Sequence, residues 1–266
     1  MSMSKPSEIH PTGMQTRLLA RRGLLETLLV VSLFMAYFLT RGLVSGRAAE
    51  AFENAYQLMQ LQRWLGISWE QTFQSWIMQF DNLIWAMNTI YVYTHMPALI
   101  LFALWVFIWH HDRYPEVRNI FLGILGVGLI VYALIPLAPP RFFTSTGFVD
   151  TLAMYSSVDY HADGIEMLYN PYAAMPSLHV GFAVFVGIGL IAVGGRLRHW
   201  IMGITFPVLM SIAVVGTGNH FILDVVAGGG LAFGAWYLVP RLTTWIHGRF
   251  AIPMKHRHPL SAMHSE

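Results

Sequence analysis

Six apolar runs dominate this chain, at about 24–40, 82–109, 117–136, 176–193, 200–216 and 220–239. Several of them approach the roughly 20 residues that carry a helix across a bilayer core. A backbone at that depth finds no water to bond, so such runs must be helical. Charge is correspondingly scarce. Hydrophobic residues make up 55% of the chain and charged ones 11%, where a soluble domain carries about a quarter. The expected fold is all-α: a polytopic membrane helical bundle of six transmembrane helices. The run 82–109 is long enough to be broken or strongly tilted. No internal repeat is detectable.

Residues 48–80 are a different kind of sequence. Charges and amides interrupt them, while Phe, Leu, Trp and Ile recur at helical spacing. They are expected to form one or two amphipathic helices lying at the interface. Residues 1–23 are read as a cytoplasmic segment, 24–240 as a single membrane-embedded catalytic domain, and 241–266 as a basic cytoplasmic tail that frays after Pro240. Arg21 and Arg22 before an apolar run resemble a signal peptide, and "GRAAEA" offers small residues for cleavage. The run is long for a leader and is read as a retained helix.

Orientation follows from Lys and Arg. With the N-terminus inside, the inner segments hold Lys5, Arg17, Arg21, Arg22, Arg113, Arg118, Arg196, Arg198, Arg241, Arg249, Lys255 and Arg257. The outer ones hold Arg41, Arg47, Arg63 and Arg141. Both ends are then cytoplasmic in a multi-pass plasma-membrane protein. A net charge of +2 gives no reason to expect a nucleic-acid partner. The absence of cysteine excludes disulfides, thiolate nucleophiles and Cys-based metal sites.

This topology gathers "LAPPRFF", "MPSLH" and "GNHFILD" at the outer face, in one water-accessible pocket. His220 and Asp224 are four residues apart and share a helix face. A carboxylate beside an imidazole fixes its tautomer and raises its nucleophilicity. His179 comes from another helix and can serve as a separate acid. Pro176 suits a first helical turn, whose N–H groups favour an anion. Arg141 supplies a forked cation for phosphate oxygens. Ser177 reads equally as a helix cap or a phosphate contact. Together these describe phosphoryl transfer through a phosphohistidine, with no cofactor and no metal. A metal site of two histidines and one carboxylate is the rival reading, and nothing in the sequence supplies further ligands.

"PSLH" and "HFILD" resemble the second and third signatures, P-S-G-H and S-R-x5-H-x3-D, of the type 2 phosphatidic acid phosphatase superfamily. The resemblance extends from about Ala51 to Pro240. "PLAPPR", "GFVDT", "NPYAAMPSLH" and "TGNHFILD" look closest to the branch containing inositol phosphorylceramide synthase. The resemblance implies that His220 attacks phosphorus, Asp224 orients it and His179 protonates the leaving group. There are departures. The third-signature arginine falls at Val214, the glycine of P-S-G-H is Leu178, and the first-signature lysine falls at Leu134. Arg141 therefore carries more of the phosphate charge.

Asn88, Tyr91 and His95 lie at i, i+3 and i+7 and form a polar stripe. The synthase-like branch shares a tyrosine and histidine here, so Tyr91 and His95 are assigned to a headgroup or acceptor pocket. Asn170, Tyr172 and Asn219 are expected to border it, with Thr217 a turn polar. The outer segment 142–170, carrying Asp150, Asp159, Asp163 and Glu166, is a lid or a solvated loop. Glycines 228–230 are expected to allow close helix packing. The expected partners are the bilayer and a phospholipid or other lipid phosphate. A lipid-hydroxyl acceptor makes the chain a transferase, and water makes it a lipid phosphatase. A catalytically silent lipid-binding or transport protein is the alternative of another class.

Overall fold

The computed structural model describes residues 13–155 and 170–250. The carboxylates Asp159, Asp163 and Glu166 and most of the basic tail lie outside them. Ten α-helices follow in order among the described residues: α1 (Gly13–Val44), α2 (Ala48–Trp64), α3 (Glu70–Ile77), α4 (Asp81–Tyr93), α5 (His95–Trp109), α6 (Tyr114–Leu134), α7 (Thr151–Tyr155), α8 (Leu178–Gly189), α9 (Leu197–Gly216) and α10 (Ile222–Phe250). The one isolated bridge among them pairs Leu137 with Ala173 in parallel.

Among the described residues four helices are long and apolar enough to cross a membrane: Glu26–Val44 within α1, His111–Leu134, Leu197–Gly216 and Ile222–Ile246. The run expected over 82–109 is broken. α4 and α5 meet at Thr94 with a bend of 46° and together make a fifth candidate span. Pro97 gives the reason, because it lacks the N–H that an unbroken helix would return to Tyr93. The run expected over 176–193 is shorter than a full span. α8 and the π-helical turn after it cover Leu178–Gly194, about 25 Å at 1.5 Å per residue. Pro240, expected to begin the tail, is not a helix end. α10 continues through it to Phe250, and the hydroxyls of Thr243 and Thr244 donate to the carbonyls of Val239 and Pro240.

α8 is the hub, packed against α5, α6, α9 and α10. In lipid, apolar contact between helices gains little from excluding water, so close approach of small residues has to hold them together. A side chain at Gly187 or Gly203 would strike the other's carbonyl across the α8–α9 crossing. One at Gly228 would strike the backbone of Ser177, which sets α10 directly against the start of α8. Gly230, by contrast, has open space around it. The central core includes Ile120, Ile124, Val180, Ala183, Phe185, Met210 and Val214.

Three of the interruptions in 48–80 do not face water. Gln62, Glu70 and Gln74 are each at most 2% exposed. Their polar groups satisfy backbone groups of the loops around the site. Gln74 exchanges two hydrogen bonds with Val149. The side chain of Asn54 donates to the carbonyl of Pro136, and the N–H of Ala138 donates to Ala51. An amphipathic pattern thus conceals a bracing one, because the water-like partners of these amides are main-chain groups of distant segments.

Candidate active site

Arg141 sits on a single 3-10 turn after α6. Its N–H donates to the carbonyl of Gly218 at 2.8 Å. Gly218 has φ +69°, a left-handed turn that favours glycine. Arg141 is buried, 4% exposed as a residue. Its Nη1 donates to Asn219 Oδ1, and its Nε lies 3.6 Å from Asp150 Oδ2. Asn219 in turn donates to Thr217 Oγ1 at 2.7 Å. The fork is therefore aimed before any ligand arrives.

His220 lies in the loop two residues before α10. Its Nδ1 lies 2.8 Å from the Ala174 carbonyl and 3.5 Å from Asp224 Oδ2. A carbonyl oxygen can only accept, so Nδ1 carries the hydrogen, and in the neutral ring Nε2 then keeps its lone pair. The expected carboxylate partner is thus the more distant of two acceptors. Asp224 is fully buried. Its Oδ2 accepts from the Phe221 N–H at 2.8 Å, and its Oδ1 has no hydrogen-bond partner. The N–H groups of Ile222 and Leu223 donate to Glu70 Oε1 and Gln62 Oε1, each at 3.1 Å. Side chains from α2 and α3 thereby fill acceptor positions that a helix start needs, and they fix the loop bearing His220.

Ser177 is the N-cap of α8, its Oγ accepting from the Val180 N–H. Pro176 therefore precedes the helix rather than opening it. His179 is the second residue of α8. Its ring stacks on Tyr91 at 4.4 Å between centroids and lies 4.2 Å from His95 and 5.9 Å from His220. His95 Nδ1 is buried without a hydrogen-bond partner.

A cavity of about 590 Å³ joins these groups, within the usual range for a small-molecule site. His220, His179, Arg141, Tyr91, His95, Asn170 and Asn219 all line it. Asp224 and Ser177 stand behind its wall. Tyr172 packs instead with Phe52 and Phe142. Asn88 leaves the stripe and holds the first residue of α7, exchanging hydrogen bonds with Thr151. Among the described residues Arg141 is the one lysine or arginine on the cavity wall, and no cluster of three His, Asp or Glu suits a metal ion.

The profile of the PAP2 superfamily matches residues 56–238, most of the chain. The chain belongs to the PAP2 superfamily. No curated protein and no solved structure matches it. PAP2 members are generally phosphatases or phosphotransferases, and in a membrane-embedded PAP2 protein a lipid phosphate is the natural substrate. This PAP2 chain also accommodates its departures from the motifs. A side chain at Gly128 in α6 would lie 2.8 Å from Leu178 Cδ2, so a glycine on the facing helix makes room for the leucine that replaces the motif glycine. Val214 is buried in the core and its carbonyl accepts from the N–H groups of Asn219 and His220. Leu134 is 66% exposed on the bundle's outside. Neither position carries a cation. Sequence reasoning missed Asp150 as the partner of Arg141, Ala174 as the acceptor for His220, and Glu70 and Gln62 as caps. No local pattern marks any of them.

Proposed function

We propose that this chain transfers a phosphoryl-bearing group between lipids through a phosphohistidine on His220. The observation that carries the reading is the His220 ring, whose Nδ1–H is engaged by Ala174 while the ring lines the cavity shared with Arg141 and His179. Arg141, held by Asn219 and Asp150, receives the phosphate oxygens. Nε2 attacks phosphorus as the phosphorus–oxygen bond of the leaving group breaks. His179 gives that oxygen its proton. An acceptor hydroxyl then returns a proton to His179 and attacks phosphorus, and the Nε2–phosphorus bond breaks. Asp224, buried 3.5 Å from Nδ1 with one oxygen unpaired, stabilises the positive charge that the ring develops.

The bundle crosses the plasma membrane six times in this reading, with the α4–α5 pair as one span and α8 as the short sixth. Both ends are cytoplasmic and the site opens to the outer leaflet, as the Lys and Arg distribution supports. Similarity of "PLAPPR", "NPYAAMPSLH" and "TGNHFILD" to the inositol phosphorylceramide synthase branch favours an inositol-phosphate-like headgroup and a lipid hydroxyl as acceptor. Tyr91 and His95, beside His179, face that acceptor. Incubating purified protein with radiolabelled phosphatidylinositol plus ceramide or diacylglycerol, and separately with phosphatidate or polyprenyl diphosphate, tests this. A new phospholipid is the expected product. Free phosphate alone makes the chain a lipid phosphatase, and neither product from any donor removes the catalytic reading.

A further inference from the structure

The cavity is larger than a phosphate needs and changes character with depth. Tyr132 marks the level of the site, its hydroxyl donating to the Pro176 carbonyl at 2.8 Å. Leu125 and Phe121 line the same cavity one face down α6, about 10 and 16 Å further along at 1.5 Å per residue. Phe182 on α8 and Leu99 on α5 complete an apolar floor. The fourth wall is α1, through Leu33 and Tyr37.

α1 precedes the family-matched residues 56–238, yet it is tied to the bundle at both ends. Glu26 pairs with Arg118 near the start of α6. Arg47, just beyond α1, donates to the carbonyls of Ala133 and Leu134 at the end of α6. The two helices therefore run parallel, and Leu33 and Tyr37 lie between the two ties. Leu28, Val31, Met35 and Leu39 are exposed on the outer side of α1, as suits lipid.

We infer that α1 closes a hydrocarbon slot, and that one chain of the lipid whose phosphate reaches Arg141 lies between Leu33 and Tyr37 on one side and Phe121 and Leu125 on the other. The inference rests on the lipid phosphotransfer reading. Its ground is the continuity of one cavity, polar beside His220 and apolar along α1 and α6. A slot walled by α1 makes this N-terminal helix a specificity element of the enzyme rather than a passive anchor.

Two measurements on the full chain in detergent–lipid micelles test it. A phosphatidate with a diazirine in mid-chain is photolysed on the protein, and the labelled residues are read by mass spectrometry. Label is expected on α1 near Leu33 and on α6 near Leu125. Label confined to other helices overturns the slot. The second measurement compares turnover of long-chain phosphatidate or phosphatidylinositol with that of nitrophenyl phosphate, which has no chain. Leu33→Trp and Leu125→Trp are expected to lower the lipid-to-ester ratio roughly tenfold, since a few displaced methylenes are worth that much discrimination. An unchanged ratio in both variants, each with wild-type monodispersity, overturns the slot. If wild-type protein turns over none of the three substrates, the phosphotransfer reading fails, and the photolabel alone decides whether α1 lines a chain site.

Discussion

The Nδ1 of His220 lies 2.8 Å from the main-chain carbonyl of Ala174, nearer than the 3.5 Å that separates it from Asp224 Oδ2. Ala174 is itself fixed, its N–H donating to the Leu137 carbonyl at 3.2 Å. The tautomer of the proposed nucleophile is thus set by backbone geometry, which no side-chain substitution removes directly.

That arrangement predicts a limited effect of Asp224→Asn. An asparagine oxygen still accepts from Phe221, and Ala174 still fixes the ring, so the loss is that of charge alone. Turnover should fall by about 10²–10³, less than the ~10⁴ seen where losing a carboxylate admits the wrong tautomer. A loss equal to that of His220→Ala would mean that Asp224, and not Ala174, orients the ring.

His220→Ala should abolish turnover in a protein that still folds. A covalent nucleophile has no substitute, so the loss is several orders of magnitude on every substrate. Activity within about tenfold of wild type, with gel-filtration behaviour unchanged, would remove the phosphohistidine step.

His179→Ala should separate substrates by leaving group. An alkoxide must be protonated as it departs, and general-acid help is worth roughly 10²–10⁴-fold. A nitrophenolate leaves without that proton, so nitrophenyl phosphate should be spared relative to a lipid ester. Equal losses on both would recast His179 as a phosphate ligand.

Gly128→Ala should destabilise the protein through Leu178, whose Cδ2 a new methyl group would meet at 2.8 Å. Overpacking of this kind costs about 1–3 kcal/mol. Leu178→Gly, which restores the family motif, should relieve most of that cost in the double variant. Thermal unfolding in one detergent for the four proteins gives the coupling. Strict additivity would show that Gly128 serves some other contact.

Much of the site was legible because its chemistry rides on short spacings and on topology. His220 and Asp224 declare themselves by a separation of four, and the expected alternation of spans put His179 and Arg141 at one face, where a single cavity is lined by both and by His220. The partners of these residues were not legible. Asp150 holds Arg141, Glu70 and Gln62 satisfy the first N–H groups of α10, and Asn88 braces Thr151. In sequence Glu70 and Gln62 are ordinary polar residues in a segment that reads as amphipathic, Asp150 is one of several carboxylates in an outer segment, and Asn88 belongs to a polar stripe. A polar side chain that bonds a distant backbone leaves the same local pattern as one that bonds water. The bend at Thr94 was half legible, since length implied a break and Pro97 locates it.

The sequence by itself determined that the chain is helical and membrane-embedded, and which titratable groups share one end of the bundle. Those follow from apolar run length, the cost of an unbonded backbone in lipid, and the spacing of a helix. Tertiary structure alone decided that a carbonyl is the nearer acceptor for His220, that Gly128 answers Leu178, and that α1 walls the cavity. Each depends on contact between residues far apart in the chain, across distances of a few ångströms that helix crossing and loop closure set and that no periodicity records.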